Sequence, residues 1–278
     1  MSPFDIAVAA ERTEARAWAD WYDAAPAEVR ARGGQRVVSV AGATLLMAPG
    51  IAAGLFNRAI GLGLHRPASA DDLRAIVSAY REARVGTWVL QCNELAEPAG
   101  LPEVAQGMRF GAPSSRWAKM WRGREPVAAV DSALRVDEVD SAQAADAWAA
   151  AVAEGNGMAA LAPWLRALHG RPGWHLYLLR DGDQAAGGGA MFSDGAQAWL
   201  GMGAVLPAQR RRHGQRRVMA RRVQEAIAGG AEWIFTETGE PHRPGEANPS
   251  LENMKYCGFT RIASRINLPG PPAEPGAA

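Results

Sequence analysis

The spacing of apolar and polar residues predicts helices and strands in alternation through the first half of the chain. Apolar residues recur at helical intervals over residues 11–23. Ser69, followed closely by two aspartates, is typical of a helix N-terminus, and this helix is expected to run to about Ala83. Other predicted elements are strands at 36–40, 43–48, 87–92 and 116–121 and a short helix at 101–108. Strands that alternate with helices indicate an α/β layered fold.

A polar connector at 123–126 separates this half from a second series of elements. Asp181-Gly182 and Asp194-Gly195 are typical of tight hairpin turns, which indicates three consecutive antiparallel strands. Ser141 is placed to cap the first helix of the series. The predicted order is a strand at 134–139, a helix from Ser141, a helical segment through Trp164, strands at 174–180, 184–192 and 197–206, a helix at 216–228, a strand at 232–238, a short helix ending at Gly258 and a strand at 260–267.

The most informative stretch runs from Leu206 to Glu240 and predicts a strand, an arginine-rich turn, a helix and another strand. A turn that begins a helix presents unpaired backbone N–H groups at the positive end of the helix dipole, which suits phosphate oxygens. We expect seven arginines to gather at this turn: Arg210, Arg211, Arg212, Arg216, Arg217, Arg221 and Arg222. The ligand is therefore expected to be an anion. Because the net charge of the chain is only +1, the cluster is local, which argues against a nucleic-acid partner.

The composition, 48% apolar and 21% charged, is typical of a soluble globular protein. The uncharged stretch 37–57 is long enough to span a bilayer. Pro49 and three glycines interrupt it, and two buried strands joined by a loop explain it better. We therefore expect a cytoplasmic protein without a membrane partner. Cys92 and Cys257 lie far apart without ligand-spaced partners, so no metal site is expected.

Three local motifs, in this order, resemble the GNAT superfamily of N-acetyltransferases over residues 134–269. They are Pro207-x-x-Arg210 with the arginine-rich turn, the sequence TETGE at 236–240, and the series Asn248-Pro-Ser, Asn253-Met254 and Gly258-Phe259. The resemblance implies a mixed, mostly antiparallel sheet flanked by helices. The first half has a similar layout without a basic phosphate turn, which suggests a tandem arrangement. The expected domains are a degenerate GNAT-like domain at 1–126, an acetyl-CoA-binding domain at 127–269 and a disordered tail at 270–278.

The resemblance implies acetyl-CoA as the cosubstrate. Backbone groups of the turn would bind its pyrophosphate, and the strand before the turn would pair with its pantetheine arm. The implied binding residues are Gly203, Ala204, Val205, Arg210, Arg211, Arg212, His213, Gly214, Gln215, Arg216 and Asn248. His213 stands where the family usually has a small residue. Either His213 takes a positive φ angle, or the register shifts by one and Gly214 takes the tight position.

The implied reaction is attack of an amine on the thioester, with a carboxylate to accept the proton of the amine. Glu237, Glu240 and Tyr256 are the candidate catalytic residues. Glu237 is the first choice as base, although it could point to the other face of the sheet and pair with an arginine. The family's tyrosine position holds Met254, and the strand before the turn has no carboxylate. The expected function is therefore an acetyl-CoA-dependent N-acetyltransferase for a small-molecule or amino-acid-like amine. The alternatives are a silent acyl-CoA-binding or sensor protein and another acyl-CoA reaction.

Overall fold

The computed structural model describes residues 2–272 apart from 242 and 244, so most of the predicted tail at 270–278 lies outside the described residues. In chain order the elements are α1 (Pro3–Asp23), α2 (Ala27–Gly33), β1 (Arg36–Val40), β2 (Ala43–Met47), β3 (Arg58–Ile60), α3 (Ala70–Glu82), β4 (Val89–Asn93), α4 (Leu101–Gly107), β5 (Ser115–Arg122), β6 (Arg135–Glu138), α5 (Ala142–Gly155), α6 (Ala162–Arg166), β7 (Trp174–Asp181), β8 (Gln184–Asp194), β9 (Gln197–Val205), α7 (Gly214–Ala228), β10 (Trp233–Gly239), α8 (Pro249–Tyr256) and β11 (Thr260–Pro269).

The predicted elements are present, and the ends of several helices are set by side-chain caps. Ser69 caps α3 and Ser141 caps α5, as expected from their positions. α1 begins eight residues earlier than predicted, because Ser2 and Asp5 form a capping box that starts the helix at Pro3. The uncharged stretch forms the strands β1 and β2. Of the described helices, none has the length and apolar character that crossing a bilayer requires.

The chain forms two compact units, and neither is a single continuous segment. The first comprises residues 1–119, 239–246 and 262–278, and the second comprises 120–238 and 247–261. These bounds differ from the expected 1–126 and 127–269, because most of β11 belongs to the first unit, where it pairs with β4. The division into two domains of distinct role remains a prediction.

In the first unit the strands follow the order β1-β2-β3-β4-β11. β1, β2 and β3 pair antiparallel, and β3 then pairs in parallel with β4 after the crossover through α3. The apolar core on the α3 face includes Leu45, Ile76, Tyr80 and Leu90. The N-terminus of α3 carries Asp71 and Asp72 in its first turn, so this helix end repels phosphate.

A cluster of charged side chains is buried in the first unit. The carboxylate of Glu14 pairs with Arg58 at 3.0 Å, with Arg265 at 2.7 Å and also with Lys119. Burial by itself raises the pKa of Glu14, but the three cations outweigh it and hold that pKa below its usual range. The cluster therefore joins α1, β3, β5 and β11 through charge pairs that exclude water.

In the second unit the strands follow the order β10-β9-β8-β7-β6. The strands from β6 to β9 pair antiparallel, and β9 pairs in parallel with β10 after the crossover through α7. A Cβ added at Gly188 would contact Trp148 of α5, whereas one added at Gly189 would contact Arg222 of α7. Because neighbouring residues of a strand face opposite sides, α5 and α7 cover opposite faces of the sheet. The predicted mixed, mostly antiparallel sheet with flanking helices is confirmed.

The two units repeat one order of elements. In each unit three antiparallel strands are followed by a helix and then by a strand that pairs in parallel with the third. These elements are β1-β2-β3-α3-β4 in the first unit and β7-β8-β9-α7-β10 in the second. The predicted tandem arrangement is confirmed by this repeat.

Candidate functional site

The parallel strands β9 and β10 of the second unit diverge at their C-terminal ends. Their paired register runs from Gln197 opposite Trp233 to Trp199 opposite Phe235. β9 continues to Val205 and β10 to Gly239, and these last residues have no partners in the register of the two strands. The carbonyl of Leu200 still accepts from Thr236 Oγ1 of β10 at 2.8 Å, so the edge of β9 is open beyond Leu200 to a ligand that pairs as a strand does.

An irregularity in β9 accompanies this divergence. Met202 has a φ of +53°, which is rare for a residue with a side chain, and the register between β8 and β9 shifts between Gly188 and Ala190. These are the features of a β-bulge, which bends a strand and increases its twist. Gly203 follows the bulge, and a Cβ there would lie 2.8 Å from Gln215 Nε2, so only glycine lets the α7 side chain approach so closely.

Arg222 of α7 is buried against the bulge. Its Nη1 donates to the carbonyl of Ala190 on β8 at 2.8 Å and to the carbonyl of Gly201 on β9 at 2.9 Å. Burial lowers the pKa of Arg222 to about 10, so the side chain remains charged at neutral pH. We predicted a place for Arg222 at the phosphate turn, and this prediction is wrong, because the side chain points into the sheet.

The turn before α7 keeps the register that aligns on Pro207 and Arg210. His213 takes the left-handed conformation, with φ +58° and ψ +15°, and Arg211 also has a positive φ of +64°. Gly214 is the first residue of the helix, where a Cβ would lie 2.7 Å from Leu179 Cδ2 and 3.0 Å from Leu134 Cδ1. Glycine is thus required here for close packing, and the tight conformation falls on His213.

Consecutive backbone N–H groups at this turn are available to a ligand. The amides of residues 211–216 donate no hydrogen bond to any residue that the structure describes, whereas the Arg217 amide donates to the carbonyl of His213. Amides that point the same way at alternating turn conformations form a concave anion site. The helix that follows is 15 residues long, and its positive end adds to the attraction.

The arginine side chains of this segment have different environments. Arg211 is exposed and forms no hydrogen bond or ion pair with a described residue, and Arg210 makes only long contacts, at 3.4 Å, with the carbonyls of Val205 and Gly155. Arg212 forms a two-bond ion pair with Asp181, at 2.6 and 3.0 Å, which lowers the pKa of that carboxyl. Two arginine side chains therefore remain available at the turn.

The remaining arginines have partners outside the turn itself. Arg216 donates to Asn253 Oδ1 at 2.8 Å, and its guanidinium lies 4.4 Å from the ring centroid of Tyr256. Arg217 and Arg221 each reach a backbone carbonyl of the segment at 130–136. The expectation that all seven arginines gather at the turn is wrong for Arg222, which is buried against the sheet because a helix distributes successive side chains around its axis.

Glu237 lies at the divergence of the two strands. Its Oε2 accepts a hydrogen bond from Trp199 Nε1 at 3.0 Å. A Cβ at Gly201 would lie 1.9 Å from the Trp199 ring, so the indole lies flat over this glycine. The ring is buried, and it meets Trp174 edge-on at 6.3 Å. The carboxylate is thus oriented by a fixed donor on the neighbouring strand.

The other two candidate catalytic residues are placed differently. Glu240 belongs to the first unit, where its Oε2 accepts from Arg116 Nε at 3.2 Å. The hydroxyl of Tyr256 donates to the carbonyl of Ala129 at 3.0 Å, and Met254 on the same helix is buried. Asn248 caps α8, since its Oδ1 accepts from the Leu251 amide at 3.0 Å.

The cysteines and acids suggest no further chemistry. Burial raises the pKa of Cys92 to about 12 and that of Cys257 to about 11, so both thiols are protonated at neutral pH. Within the described ranges, no group of three His, Cys, Asp or Glu side chains is arranged to hold a metal ion.

Sequence reasoning missed Trp199, Met202 and the true position of Arg222. The helical period could have indicated that Arg222 is buried. Arg222 lies four residues after Val218 and one before Val223, and both valines are buried. The positive φ of Met202 had no signal in the sequence. The pairing of Trp199 with Glu237 spans 38 residues and depends on the register between β9 and β10.

Solved structures with the same arrangement include GCN5-related N-acetyltransferases. One from Kribbella flavida has a TM-score of 0.64 at 17% identity, covering 87% of this chain and 91% of its own. Another from Sphaerobacter thermophilus has a TM-score of 0.59 at 14% identity, covering 82% and 79%. A tandem GNAT protein from the clavulanic acid biosynthesis pathway has a TM-score of 0.59 at 14% identity, covering 82% and 78%. No protein-family model matches the sequence, and no curated protein does.

The chain therefore has the GCN5-related N-acetyltransferase fold in its tandem form, which confirms the resemblance found in the sequence. At these identities the likeness concerns the fold, and the activity has to be argued from the site itself.

Proposed function

We propose that this protein is an acetyl-CoA-dependent N-acetyltransferase whose working site lies in the second unit. The proposal is carried by the six consecutive free amides of residues 211–216 at the positive end of α7. They face no carboxylate of the helix's own first turn, in contrast with the acidic start of α3. An anion with several oxygens, such as a diphosphate, matches such a row of donors.

Residues of the turn and of β9 would hold the coenzyme. The free guanidinium of Arg211 and the weakly engaged one of Arg210 would add charge-assisted hydrogen bonds to its phosphates. The open edge of β9 from Gly203 to Val205 would pair with the amides of the pantetheine arm. A ligand that extends from the turn along this edge would bring its thioester to the region of Trp199 and Glu237.

The bound coenzyme supplies an activated acetyl group as a thioester. We assign Glu237 as the base that accepts a proton from the acceptor amine, directly or through water. An alkyl ammonium group has a pKa of roughly 10, so it must lose a proton before its nitrogen can attack. The Trp199 hydrogen bond fixes one oxygen of the carboxylate and thereby orients the other. We propose a small-molecule or amino-acid-like amine as the acceptor.

Calorimetric titration of the purified protein with acetyl-CoA tests the proposal. Arg211→Glu places a negative charge beside the free amides, and we expect its Kd to rise at least tenfold, or about 1.4 kcal/mol. Arg124→Glu, at an exposed arginine outside the turn, is the matched control and should bind as the unmodified protein does. An unmodified protein without measurable affinity for acetyl-CoA or CoA would refute the proposal.

A second candidate, an acyl-CoA-binding protein without turnover, is favoured by the surroundings of Tyr256. Its hydroxyl is hydrogen-bonded to Ala129, and Met254 cannot donate a proton to a leaving thiolate. Release of free thiol from acetyl-CoA, measured with a panel of amines, separates the two candidates. Turnover with any amine that is lost in Glu237→Gln supports the enzyme, and binding without turnover supports the silent protein. Malonyl-CoA in the same assay tests another acyl-CoA reaction.

A further inference from the structure

The first unit contains a cavity of about 250 Å³ between α1 and one face of its sheet. Ser39, Thr44 and Ile60 stand opposite one another on β1, β2 and β3 and form a row on the wall that the sheet provides. Glu11, Ala15 and Ala19 recur every fourth residue of α1 and line the opposite wall. The two small alanine side chains leave the space between helix and sheet unfilled.

The side chains behind this cavity carry an excess of positive charge. Glu11 is only 3% exposed, and its carboxylate accepts from Asn93 Nδ2 at 2.9 Å and from Arg265 Nη1 at 3.2 Å. Arg265 also forms an ion pair with Glu14 in the buried cluster, in which Arg58 and Lys119 are two further cations. Three cations thus stand behind two carboxylates, so the negative charge of Glu11 on the inner wall is more than balanced.

The entrance of the cavity is also basic. Arg12, Arg16 and His65 line it and are exposed. The guanidinium of Arg12 makes no hydrogen bond or ion pair with any described residue, so it is available to a carboxylate in a two-bond geometry. The remaining walls are largely apolar and include Val8, Val37 and Leu64. An anion with an apolar body fits this combination.

We propose that the first unit binds a small monocarboxylate, with its carboxylate on Arg12 and its apolar body between α1 and the sheet. The cavity volume of about 250 Å³ lies below the roughly 300–1,000 Å³ of sites for drug-sized ligands. A carboxylate of five to seven carbons suits a site of this size better than a coenzyme does. The site is separate from the phosphate-binding turn proposed in the second unit, and it does not depend on acetyl transfer.

Methyl NMR spectra of the full-length protein, titrated with hexanoate, test the site. We expect hexanoate to shift the methyl signals of Ile60, Leu64 and Val37 while signals of the second unit stay unchanged. 1-Hexanol, with the same apolar body and no charge, should bind at least tenfold more weakly. Equal binding of hexanol, or shifts confined to other methyl groups, would overturn the proposal.

Two variants examine the basic entrance and the helix wall separately. Arg12→Gln should raise the Kd for hexanoate at least tenfold, whereas Arg32→Gln, at an exposed arginine that does not line the cavity, should leave it unchanged. Ala19→Leu should fill the cavity and abolish binding, while its melting temperature and the methyl spectrum of the second unit show that the fold is kept. Unchanged affinity in Arg12→Gln or in a folded Ala19→Leu variant refutes the site, as does an absence of binding at millimolar hexanoate.

Discussion

The substitution Arg222→Met tests most directly whether Arg222 stabilises the strands at the candidate site. Methionine fills much of the same space without a donor, so the carbonyls of Ala190 and Gly201 lose the guanidinium that now lies 2.8 and 2.9 Å from them. These carbonyls belong to β8 and β9 beside the bulge at Met202. Loss of the guanidinium should therefore destabilise the second unit at the divergence of its strands.

The magnitude follows from the two hydrogen bonds. A buried acceptor left without a donor costs about 1–3 kcal/mol, and two such acceptors are affected. Removing a buried charge offsets part of this cost, because its desolvation is relieved. We therefore expect a loss of roughly 3 kcal/mol, which for a chain of this length lowers the melting temperature by about 6–12 °C. Arg222→Lys retains a charge and one donor group and should lose about half as much.

Thermal unfolding followed by circular dichroism measures the effect. Arg217→Met is the matched control on the same helix, since Arg217 is exposed and its one side-chain hydrogen bond to a described residue is long, at 3.4 Å to the carbonyl of Val130. We expect the control to melt within about 2 °C of the unmodified protein, as surface substitutions usually do. If Arg222→Met melts no lower than Arg217→Met, the guanidinium does not stabilise the bulge and the reasoning is refuted.

Two further substitutions probe other contacts. Gly201→Ala should displace the Trp199 ring, which lies 1.9 Å from the added Cβ, and lower the free energy of unfolding by roughly 1–3 kcal/mol. A shifted indole N–H signal in NMR spectra would report the displacement. The control Gly239→Ala, with open space around the added Cβ, should leave that signal in place. Because the folded pKa of Glu14 is lowered, its stabilising contribution is complete above its unfolded pKa, near 4.3, and is lost as the pH falls further. Glu14→Gln should therefore lower the melting temperature at pH 7, because three cations lose their carboxylate partner. In this variant the melting temperature should also fall less steeply below about pH 4.3 than it does in the unmodified protein. An equally steep fall in both proteins would contradict this account.

The proposed anion site was predictable because it depends on local geometry. A strand, a turn and a helix that follow one another in sequence place the amides of residues 211–216 together whatever the rest of the chain does. Which arginines serve that site was not predictable by counting them. Arg212 forms an ion pair with Asp181, which lies about 30 residues earlier in the chain. Arg222 lies on the buried side of α7, because the helical period places its side chain against the sheet.

The register of the turn shows the same limit. The sequence left open whether His213 or Gly214 takes the tight conformation. Leu134 and Leu179 decide it, because they pack against Gly214 and leave no room for a Cβ there. Leu179 belongs to β7 and Leu134 immediately precedes β6, so their contact with the turn is a property of the folded sheet.

The sequence by itself determined the order of most elements, the hairpin turns, the helix caps at Ser69 and Ser141 and the turn for which we propose anion binding. Each of these depends on residues a few positions apart, whose interactions are set by backbone geometry. Only the tertiary structure decided the Trp199–Glu237 pair and the cluster in which Glu14 meets Arg265, 251 residues away. Such contacts arise from strand register and from the burial of charges, and neither is encoded in a local period.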